Sequence, residues 1–235
     1  MSARLDRFKL LVVGDCGVGK SSFVHGVVNQ TPLHYPSSTI GCNVEVMAYN
    51  YEPDGRAREV FLEFWDVGGS SGTHNSRSIF YENIDGLIVV HDLSNRKSFL
   101  NLQQWVCEAL NSSYQEFTGI TVASKDDATP ERRSSGSIPV LVLGTKEDQC
   151  SSSVVDQTSK RNARHIGLTE ESDVTFCSMN CLQEGQLLNN SNKWQQLHTF
   201  FSNVIQNRSN PYNNRGKMSQ ENNSDSFSRT RKKIY

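Results

Sequence analysis

The octapeptide Gly14-Asp15-Cys16-Gly17-Val18-Gly19-Lys20-Ser21 satisfies the pattern GxxxxGK[ST] at every fixed position. Such a string lets successive backbone N–H groups point into one concavity at a helix N-terminus, where they stabilise a β-phosphate. Lys20 then reaches the β/γ-phosphates as a point charge, and the Ser21 hydroxyl supplies a ligand for Mg²⁺. Phe61-Leu62-Glu63-Phe64-Trp65-Asp66 ends an apolar run on an acid, the place for a carboxylate that holds the magnesium shell, and Asp66-Val67-Gly68-Gly69 reads DxxG. Further on, Thr145-Lys146-Glu147-Asp148 follows the apolar run Val140-Leu141-Val142-Leu143-Gly144. A carboxylate at Asp148 can accept from the N1–H and the 2-amino group of guanine together; adenine has neither donor there, so unpaired polar groups would select against ATP. The stem of Lys146 would lie along the base plane. Cys177, Ser178 and Met179, at the end of a last apolar run, are placed to offer backbone N–H groups to the guanine O6.

These groups need a scaffold that brings them to one edge. From residue 8 to about 207, short apolar runs alternate with helical patterns, the order of an α/β fold around a mostly parallel sheet. The expected strands are Phe8–Val13, Cys42–Tyr51, Arg58–Trp65, Gly86–Asp92, Pro139–Gly144 and Val174–Ser178. Glu52-Pro53-Asp54-Gly55 is turn chemistry and makes the second and third of them an antiparallel hairpin. Expected helices are Lys20–Asn29, Ser76–Ile84, Lys97–Asn111, Val154–His165 and Asn192–Asn207; in the last, Trp194, Leu197, Phe200, Phe201, Val204 and Ile205 share one apolar face. The phosphate loop thus follows a strand and opens a helix, as its chemistry requires. A polar insert occupies residues near 113–137, and a polar tail rich in Asn, Ser and Arg, expected to be disordered, follows from 208 to 235.

With 24 Lys+Arg against 25 Asp+Glu in 235 residues, the chain carries a formal charge of −1, which disfavours a surface built wholly for nucleic acid. That near-balance hides two unlike parts: residues 208–235 hold seven basic and two acidic side chains, so residues 1–207 are acidic. No apolar run approaches the ~18 residues of a membrane span, and the first lacks the flanks of a signal peptide, so a cytosolic chain is expected. The six cysteines form no CxxC pair and read as reduced, mostly buried thiols.

With the phosphate loop, Thr39-Ile40-Gly41, Trp65-Asp66-x-x-Gly69 and Thr145-Lys146-x-Asp148 in this order, the chain resembles the Ras-superfamily small GTPases, and its loop and Thr-Ile-Gly triplet look most like the Rab branch. The resemblance covers about residues 5–207 and implies a P-loop small-GTPase fold: a six-stranded, mostly parallel sheet with one antiparallel hairpin strand and helices on both faces. It implies GTP/GDP and Mg²⁺ as ligands. Residue by residue, it makes Thr39 the switch threonine that ligates Mg²⁺ and senses the γ-phosphate, and Gly69 the backbone donor to that phosphate. Asp15, Cys16, Gly17, Val18, Gly19, Lys20, Ser21 and Ser22 would wrap the phosphates; Thr145, Lys146 and Asp148, in one loop with Glu147, would hold guanine.

Three departures from the family pattern bear on function. Ser70 stands where the family places the Gln that orients the attacking water, so hydrolysis should be slow. Ser71-Gly72-Thr73-His74-Asn75-Ser76 replaces a charged and aromatic second switch, and Arg77 reads as a solvated residue at a helix start. No cysteine follows Cys181 and residue 2 is Ser, so neither a prenyl nor a myristoyl anchor is expected; the basic tail would make at most weak, salt-sensitive contact with an anionic membrane. Two readings stay open: a molecular switch with unknown protein effectors and regulators, or a persistently GTP-bound scaffold that could homodimerise through the altered second switch. A metabolite kinase is disfavoured by Asp148.

Overall fold

The computed structural model describes residues 5–53, 55–70, 72, 74–114, 138–150, 166, 168, 173–187 and 191–209, the side chains of 74, 75 and 111–114 excepted. Six strands, β1 (Arg7–Val13), β2 (Cys42–Tyr51), β3 (Arg58–Val67), β4 (Gly86–Asp92), β5 (Val140–Thr145) and β6 (Val174–Ser178), form one sheet in the order β2-β3-β1-β4-β5-β6. Among the described residues only the β2–β3 pair is antiparallel, from Tyr51 opposite Arg58 to Cys42 opposite Val67. The sequence expectation of a single antiparallel hairpin joined to a parallel sheet therefore holds.

Alternation along β1 divides the core. Leu10 and Val12 face a layer that holds Phe23, Val24 and Val27 of α1 (Lys20–Asn29), with Leu197, Phe200, Phe201, Val204 and Ile205 of the last helix. Leu11 and Val13 face the opposite layer, with Leu102, Trp105, Val106, Ala109 and Leu110. Because helices cover both faces, β4 and β5 are buried at every residue and read as unbroken apolar runs. Among the described residues, no helix is long and apolar enough to cross a membrane.

The structure corrects several local expectations. The ladder with β2 carries β3 two residues past Trp65, and the Gly68 N–H extends it by donating to the Gly41 carbonyl at 2.8 Å. Ser76–Ile84 is not a helix: α2 (His74–Arg77) gives way to a 3₁₀ turn, Ser78–Phe80, and Asn83 takes a left-handed conformation with φ 55°. That kink lets Tyr81 bury fully while Asp85 joins the sheet edge through its N–H to the Lys9 carbonyl. Arg77 is buried, not solvated, because its guanidinium finds a carboxylate on a neighbouring helix. Lys97–Asn111 divides into α3 (Arg96–Leu100), capped by the Asn95 side chain, and α4 (Leu102–Tyr114), with Asn101 between them. The last helix, α5, spans Asn192–Ser209 and so runs two residues beyond the expected end. Of the six free cysteines only Cys177 is buried; Cys16 and Cys107 are exposed, the first on a loop and the second on the outer side of α4. The expected helix at Val154–His165 lies outside the described residues, as do nearly all of the insert at 113–137 and the tail beyond Ser209.

Candidate nucleotide site

The phosphate loop joins β1 to α1 across the C-terminal edge of the sheet, the edge where parallel α/β folds bind ligands. Gly14 has φ 148°, and a Cβ there would lie 2.2 Å from the Val90 carbonyl oxygen, so no other residue fits. Lys20 is buried at 6 % exposure, and its ammonium donates to the carbonyls of Gly14 at 2.9 Å and Asp15 at 2.8 Å. Burial lowers its pKa, against the pull of Asp66 and Asp15. An ammonium strapped across its own loop is pre-positioned for an anion in the concavity. Asp15 does not turn its carboxylate toward that concavity. Oδ2 accepts from Asn101 Nδ2 at 2.7 Å and Oδ1 from Trp105 Nε1 at 2.8 Å, so the side chain anchors the loop to the helical layer and leaves its backbone to face a phosphate.

Three oxygen-bearing side chains from separate segments converge beside the loop. The Ser21 hydroxyl donates to Asp66 Oδ2 at 2.6 Å, and Thr39 Oγ1 lies 3.0 Å from Ser21 Oγ and 3.2 Å from Asp66 Oδ2. Asp66 is 1 % exposed, and its Oδ1 has no hydrogen-bond partner. Burial raises its pKa, opposed by Ser21, Lys20 and Thr39. A buried, half-satisfied carboxylate with two hydroxyls is a set of hard oxygen donors, and that chemistry fits Mg²⁺. The segment that carries Thr39 is held here by close backbone packing. A Cβ on Gly68 would lie 2.6 Å from the Thr39 carbonyl oxygen, and one on Gly69 would lie 2.4 Å from the Gly14 carbonyl. Gly69 therefore rests directly on the phosphate loop, while Ser70 beyond it is exposed.

The loop after β5 sits at the same edge. Thr145, 1 % exposed, donates its hydroxyl to the Val18 carbonyl and lies 3.0 Å from the His91 carbonyl, which ties this loop to the phosphate loop. Lys146 takes φ 56° and pairs with Asp92 Oδ2 at 2.6 Å. Burial pushes the Asp92 carboxyl up, but Lys146 and Ser94 together hold it below the usual range. Glu147 turns away toward α5, where Lys193 Nζ donates to it at 2.9 Å, and it also accepts from Ser178 Oγ at the end of β6 at 3.3 Å. Asp148 is exposed, which leaves its carboxylate open to a ligand. At the end of β6, Cys177 and Met179 are buried. The Met179 N–H donates to the Gly144 carbonyl at 2.8 Å and is thus engaged within the sheet, and its carbonyl accepts from the Glu147 N–H.

The structure brings Lys20, Ser21, Thr39, Asp66, Gly69, Thr145 and Asp148 to one edge; contrary to expectation the Met179 N–H is taken up by the Gly144 carbonyl, the side chains of Asp15 and Glu147 turn away from the site, and further residues join it. Asn101 and Trp105 anchor Asp15, Asp92 pairs with Lys146, and Lys193 holds Glu147. Asp92 carried a visible signal, an acid at the end of an apolar run. The rest meet their partners across long sequence separations, and no local pattern marks them.

Comparison with known proteins agrees with this geometry. Residues 9–184 match the sequence pattern of the Ras family. The chain is 39 % identical over 214 residues to Rab-like protein 3 of Danio rerio, covering 88 % of each chain. It is 39 % identical over 213 residues to Rab-like protein 3 of Homo sapiens, covering 88 % of this chain and 87 % of that one. The Small GTPase-like protein LIP2 of Arabidopsis thaliana is 38 % identical over 151 residues, 60 % of this chain and 43 % of that one.

Proposed function

The chain belongs to the Ras family of small GTPases and within it is similar to Rab-like proteins, and from that premise we propose that it is a GTP/GDP-dependent switch of signalling or trafficking with slow intrinsic hydrolysis. The observation that carries the proposal is the meeting of Ser21, Thr39 and Asp66 beside a phosphate loop on which Gly69 rests. In this reading the loop N–H groups and Lys20 hold the β- and γ-phosphates. Ser21, Thr39 and Asp66 would hold Mg²⁺, which would supply positive charge against the phosphates. Thr39 and the Gly69 N–H read the γ-phosphate, so both switch segments are ordered by GTP and released by GDP. Asp148 accepts from the guanine N1–H and 2-amino group beside the stem of Lys146, and the Thr145 hydroxyl fixes the base loop relative to the phosphate loop.

Ser70 sets the rate. Its short side chain lacks the amide that both accepts from and donates to an attacking water, so the water is poorly oriented and hydrolysis is slow. The same residue supports a second reading, in which the chain stays GTP-bound and presents one lasting surface. A single-turnover GTP assay separates the two: turnover that rises strongly with a partner protein supports the switch, and GTP that co-purifies and persists supports the scaffold. The site itself is tested by Lys20→Ala and Asp148→Ala, each expected to abolish guanine-nucleotide binding; micromolar affinity retained in either variant refutes the assignment.

A further inference from the structure

Arg77 lies eight positions past Gly69 and is 4 % exposed. Its guanidinium is placed over the Trp105 ring, 4.1 Å from the centroid. Nη2 donates to Glu108 Oε2 at 2.7 Å, and Nε donates to Glu108 Oε1, which also accepts from the Tyr81 hydroxyl at 2.7 Å. The remaining arm, Nη1, reaches back and donates to the Ser70 carbonyl at 3.1 Å. Trp105, beneath the guanidinium, is the same residue whose Nε1–H holds the Asp15 carboxylate at 2.8 Å. A continuous path of contacts thus leads from the phosphate loop through Trp105 and Arg77 to the Ser70 carbonyl, one residue past Gly69.

We infer that Arg77 is a positioning residue for γ-phosphate recognition: through the Ser70 carbonyl it fixes the backbone just after Gly69, and through Trp105 and Asp15 it references that backbone to the phosphate loop. The inference rests on the GTP-binding reading above. Between Ser70 and Arg77 the sequence supplies only Ser, Gly, Thr, His, Asn and Ser, none large enough to make an apolar anchor of the kind that sets a loop. The planar fork with stacked ring is chemistry that arginine performs and lysine does not. Because the arm acts where the Gly69 N–H meets the γ-phosphate, it contributes to GTP binding and not to GDP binding. By linkage, filling the γ-phosphate site must bias the Arg77–Trp105 contact in return.

The test uses the full chain with Mg²⁺ and compares the affinities of GDP and a non-hydrolysable GTP analogue. Arg77→Lys keeps the charge and removes the fork. It should weaken the GTP analogue about tenfold, the worth of one charge-assisted hydrogen bond, and leave GDP affinity within about twofold. Trp105→Phe keeps a ring under Arg77 but removes the Nε1–H, and should lower the GTP-to-GDP preference in the same direction by about threefold. The wild type should also show a Trp105 fluorescence difference between the two nucleotides, identified by its loss in Trp105→Phe. Equal weakening of both nucleotides, or an unchanged preference in both variants, overturns the inference while leaving the functional reading intact. If Arg77→Lys fails to fold, Trp105→Phe decides by the same criterion. Wild-type protein that binds neither guanine nucleotide overturns the functional reading and the inference with it.

Discussion

Adding one methyl group at Gly68 tests whether the Thr39 segment is seated by backbone packing. In Gly68→Ala the new Cβ would stand 2.6 Å from the Thr39 carbonyl oxygen, where ordinary contact begins near 3.4 Å, so the Thr39 backbone must retreat by about 0.8 Å. The atom it meets belongs to the backbone, and no rotamer change relieves the clash. Thr39 Oγ1 now lies 3.0 Å from Ser21 Oγ and 3.2 Å from Asp66 Oδ2. A retreat of that size carries both separations toward about 4 Å, outside hydrogen-bond range. Mg²⁺ demands donors at about 2.1 Å in octahedral geometry, so on the proposed reading Thr39 would drop from the ligand set. Loss of one contact to a charged centre costs about 1.5–3 kcal/mol, which is roughly ten- to a hundredfold in affinity. In the proposed reading Thr39 senses the γ-phosphate, so the loss should fall on GTP and should spare GDP. Displacement titrations of both nucleotides at saturating Mg²⁺, with a melting curve as a folding control, measure it. A folded Gly68→Ala protein whose GTP-to-GDP preference stays within twofold of wild type would refute the reasoning.

Ser70→Gln restores an amide beside Gly69 and should speed intrinsic single-turnover hydrolysis by about tenfold or more, given what correct orientation of a nucleophile contributes; no change would mean that another group positions the water. A separate expectation concerns His91, buried on β4, whose Nδ1 has no partner and whose ring packs edge-on against Phe99. Burial pushes its pKa down to about 4 from 6.5, so the unfolded chain takes up this proton first as pH falls. The contribution of His91 to stability is therefore intact above about pH 6.5 and is lost between there and about pH 4, roughly 2 kcal/mol of it between pH 7 and pH 5. Urea denaturation at both pH values should show that slope diminished in His91→Phe, and an unaltered slope would exclude His91 as its source.

The sheet was legible because its inner strands are buried on both faces. Leu87–Val90 and Val140–Leu143 can read only as strands bounded by turns, and the motif residues follow from their ends. The second switch misled for an identifiable reason. Ile79, Phe80 and Ile84 recur at helical spacing, yet Ile79 is 68 % exposed and the chain turns at Asn83 to seat Tyr81. Arg77 was misread for a related reason: a charged residue in a polar stretch reads as solvated, while its partner Glu108 lies far along the sequence, as do Asn101 and Trp105, which hold the Asp15 carboxylate. Within the site, the residues proposed to hold phosphate, metal and base are written in short motifs. The residues that orient them are supplied by tertiary contact and carry no pattern of their own.

The two ends of α5 are fastened to different parts of the molecule. Near its start Lys193 grips Glu147 in the base loop, and near its close Arg208 pairs with Asp85 at 3.0 Å and donates to the Arg7 carbonyl at the opposite edge of the sheet. Between them the helix spans about 27 Å, with Leu197, Phe200, Phe201, Val204 and Ile205 sunk in the core. In mechanical terms α5 is a shear-loaded beam. A pull on the chain beyond Ser209 is taken first by Arg208 and then by the apolar seam, and reaches the base loop last. Tethering this protein by that end should therefore leave nucleotide residence time unchanged.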